Sequence, residues 1–175
     1  MILNRQRRVR IALAPLEVCA RRVASTLRVG RESFSVCLVS DAEMARMNRR
    51  FRARRGPTDV LSFPTNGVGR ALAPRNSARD SGRASARRRK RAARPSGGGA
   101  TREFLGDIAI SPQSARRNAQ RDGRALSREL QILILHGVLH LMGYDHEADE
   151  GEMERLELRL RQRLGISRER DRPTL

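Results

Sequence analysis

The chain has 175 residues, a formal charge of +18 and a pI near 11.8, and only one of its 37 basic residues, Lys90, is lysine. That length suits one domain with a real core, and that charge points to a polyanionic partner, nucleic acid before an anionic membrane. No run approaches the roughly 18 apolar residues of a membrane span and the N-terminus lacks the apolar segment of a signal peptide, so a cytoplasmic location is expected.

Residues 8–13 alternate, with Val9, Ile11 and Leu13 on one side, which predicts a first strand. Pro15 suits the first turn of a helix whose buried stripe is Leu16, Cys19, Val23 and Leu27, with Gly30 as its stop. Residues 33–39 predict a second strand, and Ser40 with Glu43 forms a capping box for a helix through Met44, Met47 and Phe51. The two cysteines, Cys19 and Cys37, fall on these apolar patterns and read as small core residues, too few for a disulfide framework.

Pro57 and Pro64 bracket a short strand, which places it at a sheet edge because proline cannot donate to a ladder. Residues 70–103 are different in kind, with eleven basic residues, two acids and Leu72 as the one aliphatic side chain larger than alanine. Such a segment buries too little apolar area to offset its ordering entropy, so it reads as a disordered basic insertion. A fourth strand over 104–110 leads to Ser111-Pro112, an N-cap and N1 proline opening a polar helix that Gly123 ends. Ser127 is read as the cap of a central helix, apolar nearly all round. Asp149 and Glu152 start a last helix with the stripe Met153, Leu156, Leu160 and Leu164, ended by Gly165, and 166–175 reads as a frayed tail. The order βαβαββααα argues for an α+β fold: a small mixed four-stranded sheet packed with helices, in one domain spanning 1–175.

The central helix runs into LQILILHGVLHLMGYDH, residues 130–146, which holds the only three histidines of the chain. His136 and His140 are four apart and so share a helix face, and Gly143 can turn the chain so that His146 joins them. Three imidazoles with an open fourth position make a catalytic zinc site. The spacing matches the metzincin pattern H-E-x-x-H-x-x-G-x-x-H except that Gly137 replaces the glutamate that serves those proteases as general base. Peptide hydrolysis of the usual kind therefore lacks its base, whereas phosphodiester cleavage fits a metal that polarises a phosphoryl oxygen, helped by an arginine at the developing charge.

The segment HGVLHLMGYDH resembles the signature of the YbeY family of bacterial metal-dependent endoribonucleases. NRRFRARRGPTDVLSFP (48–64) and LGDIAIS (105–111) resemble two further segments of that family, in the same order. The resemblance implies a zinc-dependent, single-strand-specific endoribonuclease acting in rRNA processing, at 16S rRNA 3′-end maturation, and in ribosome quality control. It implies one Zn2+ per chain held by His136, His140 and His146, and Arg52 as the phosphate-binding residue. Thr58 and Asp59 would shape the cleft floor. Asp107 would either steady a ligand histidine or make an ordinary strand-end turn, and Asp145 would cap the turn before His146. The implied partners are rRNA in ribosomal particles and a ribosomal protein, with no membrane.

Two other readings stay open on the residues alone. One is a metallohydrolase of another class, such as a peptidase with its acid supplied from elsewhere. The other is a non-catalytic RNA- or ribosome-binding module with structural zinc. The basic insertion reads equally as an RNA tether or a tolerated loop expansion. With Phe34, Phe51, Phe63, Phe104 and Tyr144 read mostly as core, recognition is expected to be of phosphate and shape, without a base-stacking platform.

Overall fold

The structure, a computed structural model, describes residues 1–65, 104–144 and 151–166. The insertion expected at 70–103, the third histidine His146, the turn residue Asp145, the helix-start residue Asp149 and the tail from 167 onward lie outside the described residues.

The elements are β1 (Ile2–Asn4), α1 (Leu13–Leu27), β2 (Phe34–Leu38), α2 (Asp41–Arg52), β3 (Val60–Pro64), β4 (Gly106–Ile110), α3 (Pro112–Arg121), α4 (Leu126–Leu141) and α5 (Glu152–Leu164). The sheet order is β1-β2-β4-β3, with β1, β2 and β4 parallel and β3 antiparallel to β4. This is the expected α+β fold with a mixed four-stranded sheet, and β3 does lie at an edge.

The first strand is not where the alternation placed it. Gln6, only 5% exposed, receives the backbone N–H groups of Arg8 and Val9 on its Oε1, both at 2.9 Å, and donates to the Val9 carbonyl. A side chain thus takes the donors that a ladder would need, and 8–13 becomes a clamped turn leading into α1. The ladder forms instead at Ile2–Asn4, where Ile2 pairs with Val36. Three smaller corrections concern helix ends. α1 stops at Arg28, in the left-handed conformation, before Gly30 is reached. α4 starts one residue before Ser127, with Ala125 as its N-cap and no side-chain cap. Ile166 is buried against the core and does not belong to a frayed tail.

Side chains alternate across the sheet. Phe34, Val36, Leu38, Ile108 and Ile110 face the layer of α1, α4 and α5, where the main core sits. Leu61, Phe63 and Ala109 face the other way, toward Met44 and Met47 of α2. α4 is therefore buried between sheet and helices, as its all-round apolar sequence requires. Gly106 permits the β3–β4 approach: at its φ of +146°, a Cβ would stand 2.1 Å from the Phe63 carbonyl oxygen.

The two helix starts at the end of the sheet are joined through Asp41. Its carboxylate accepts from Ser111 Oγ at 2.5 Å and Ser114 Oγ at 2.8 Å, and pairs with Arg117 at 2.8 Å. Burial raises the Asp41 pKa, but the bonds from Arg117, Ser111 and Ser114 outweigh it and hold the carboxyl below its ordinary 3.8. A lowered folded-state pKa gives stability that is present above the unfolded value and lost as pH falls through the folded one. Asp41→Asn should therefore lower Tm at neutral pH, with the gap to wild type closing below pH ~4, as thermal melts across pH would show.

Candidate metal centre

α4 carries the site. Its C-terminus closes as a Schellman motif: Gly143 N–H donates to the His140 carbonyl at 3.0 Å and Tyr144 N–H to the Leu139 carbonyl at 3.1 Å. Gly143 has φ +91°, the left-handed turn expected of it, and the chain leaves the helix there. The two histidines sit in the last turns of α4, where the helix dipole favours a cation.

The imidazoles of His136 and His140 face one another with their Nε2 atoms 3.0 Å apart and their ring planes at 77°. Two imidazole nitrogens bound to one tetrahedral zinc at about 2.0–2.1 Å would lie about 3.3 Å apart. The observed pair is within a few tenths of an ångström of that spacing. Among the described residues no group of three or more His, Cys, Asp or Glu is placed to hold a metal, and only His136 and His140 of the three expected ligands fall among them.

The partner that orients His136 escaped the sequence reading. Glu157 of α5, 7% exposed, accepts from His136 Nδ1 at 3.0 Å and from Arg161 at 2.5 Å. Burial pushes the Glu157 carboxyl up, and the hydrogen bond and charge of His136 with those of Arg161 bring it below its ordinary value. A carboxylate on Nδ1 fixes the tautomer in which the Nε2 lone pair faces His140, which is how metal-binding histidines are commonly held. The signal was in the sequence: Met153, Glu157, Leu160 and Leu164 are the buried positions of α5, so a glutamate stands on the apolar stripe.

Asp107 projects from the sheet face opposite Ile108 and accepts from Ser35 Oγ. Asp59 is committed as well. Its Oδ1 accepts from Val60 N–H at 2.9 Å and Thr58 Oγ1 at 3.1 Å, and its Oδ2 accepts from Asn118 at 2.9 Å, which fastens the entry of β3 to α3. Arg52 is the last residue of α2 and is half-buried; among the described residues no side-chain bond joins it to the histidines. β3 reaches α4 directly, with Ser62 Oγ donating to the Gly137 carbonyl at 3.2 Å.

Gly137 itself is packed against the sheet. A Cβ there would meet Ile108 Cγ2 at 2.8 Å and Cδ1 at 2.9 Å. The position that holds the base in metzincins is here filled by β4.

Comparison with known proteins identifies the family. The family model described as Endoribonuclease YbeY matches residues 1–165. Proteins named Endoribonuclease YbeY are similar: that of Solibacter usitatus is 37% identical over 151 residues, covering 86% of this chain and 78% of the relative. That of Koribacter versatilis is 40% identical over 136 residues, covering 78% and 67%. That of Roseiflexus castenholzii is 34% identical over 165 residues, covering 90% and 89%. The solution structure of TM1509 from Thermotoga maritima shares the fold, with TM-score 0.55 and 23% identity over 94% of this chain and 89% of that one. The chain belongs to the endoribonuclease YbeY family.

Proposed function

We propose that this chain is a zinc-dependent endoribonuclease that cleaves single-stranded RNA, acting in rRNA processing at the 3′ end of 16S rRNA. The observation that carries the metal part is the facing Nε2 pair of His136 and His140 at 3.0 Å, locked by Glu157. The family and the charge of +18 carry the RNA part.

His136 and His140, joined by His146, would hold the zinc, which when bound supplies Lewis-acid polarisation of a phosphoryl oxygen and a nucleophilic water near neutral pH. The chain's own residues do the rest. Glu157 holds His136 through Nδ1 and so points its Nε2 at His140. Arg52 at the end of α2 offers a fixed positive fork to a phosphate. The packed Gly137 leaves no carboxylate between the histidines to act as a peptidase base, which favours a phosphodiester over a peptide substrate. The physiological setting is rRNA within ribosomal particles, in the cytoplasm.

Purified full-length protein with zinc, given a single-stranded RNA and a duplex of the same sequence, should cut the first and spare the second. Absence of cleavage of the single strand would sink the proposal. Glu157→Gln removes the charge that holds His136 and should weaken zinc binding about tenfold, read by competition with a chelating dye. Unchanged affinity would mean that His136 is oriented by something else.

A further inference from the structure

Two of the five aromatic residues are exposed, Phe104 at 40% and, more so, Phe51. Phe51, on the stripe with Met44 and Met47, was expected in the core, yet it is 53% exposed. It lies near the end of α2. Phe63 of β3 meets it edge to face, with ring centroids 5.1 Å apart, and the Arg50 guanidinium lies 5.3 Å from its ring centre.

The surroundings are strongly basic. Arg49, Arg50, Arg52, Arg54 and Arg55 flank Phe51 in the sequence, all but Arg52 exposed, and no acidic residue stands between Arg49 and Thr58. The surface is also shaped in advance. Asn48, 5% exposed, donates to the Gly56 carbonyl at 2.9 Å, and Ala53 takes the left-handed conformation at φ 53°, so the turn presenting the arginines is fixed to the helix. Asp107, the residue across from Phe63 in the ladder, is engaged by Ser35.

An exposed aromatic ring inside a cluster of guanidinium groups suits one ligand chemistry well. The ring offers a π-face to a nucleobase, and the arginines offer charge to the flanking phosphates. An acidic peptide would use the charge but has no need of an exposed ring, and a base paired inside a duplex has no face to give. β3 also connects this surface to the histidines. Ser62 touches the Gly137 carbonyl from one face of the strand, and the next residue, Phe63, supports Phe51 from the other. β3 is an edge strand, so both of its faces border this end of the sheet.

We infer that Phe51 and the arginines of 49–55 form a base-stacking subsite for an unpaired nucleotide of the RNA strand. The inference rests on the RNA-cleaving reading above and names the element that selects single strands.

The chain has no tryptophan, so Phe51→Trp puts a lone reporter at the subsite. Its fluorescence should be quenched by a short oligouridylate and not by an abasic ribose-phosphate oligomer of equal length and charge. In parallel, Phe51→Leu should bind the oligouridylate about tenfold more weakly, with an unchanged salt slope and unchanged affinity for the abasic oligomer. Equal quenching by both oligomers, or full affinity in Phe51→Leu, would overturn the inference while wild-type binding and cleavage of RNA leave the parent reading intact. A wild-type protein that neither binds nor cuts single-stranded RNA would overturn both.

Discussion

His140→Ala is expected to lower kcat/KM for single-stranded RNA by at least about 100-fold. Residues that only orient a metal ligand are worth about 10–100-fold, and His140 is proposed as a ligand itself. His140 is half-buried at the helix end, so the fold should survive, and thermal melting of the variant should stay near wild type. Bound zinc, read by elemental analysis of the purified protein, should fall in step with activity. Cleavage at the wild-type rate would remove His140 from the centre.

Gly137→Glu, which completes the metzincin pattern in sequence, should give no peptidase and no folded protein. The first side-chain atom alone would press on Ile108, which is fully buried, at 2.8 Å. A carboxylate beyond it would be buried without a partner, at a cost of several kcal/mol against a total stability of about 5–15 kcal/mol. Gly137→Ala separates the two effects. Alanine gains up to about 1 kcal/mol of helix propensity and loses about 1–3 kcal/mol to overpacking, so a modest net loss of stability is expected in denaturant titration. A Gly137→Glu protein as stable as wild type would show that the sheet does not occupy this position.

These two residues show how the site was and was not legible. The histidine spacing and Gly143 could be read because a helix repeat and a left-handed turn are local properties. The element order and the α+β class could be read for the same reason. Gly137 stood out as a missing glutamate, but its physical cause is a contact with β4, 29 positions earlier, which no local pattern carries. Glu157 was hidden likewise. Its partners come from α4 and α5, and only a charged residue on a buried stripe betrayed it. The first strand was misplaced because Gln6 binds the backbone of Arg8 and Val9, a competition that alternation cannot register. Phe51 was misread because a helix stripe was assumed to stay buried to its last turn, whereas the ring at the end of α2 packs edge to face on Phe63 and still stays 53% exposed.

The central claim is that the histidine pair holds a zinc on which RNA cleavage depends. Its most direct measurement is cleavage of a single-stranded RNA by the full-length protein after exhaustive chelation, followed by stepwise return of zinc. Activity should vanish on stripping and be restored in full at one zinc per chain. Undiminished cleavage by protein shown to be free of metal would contradict the claim.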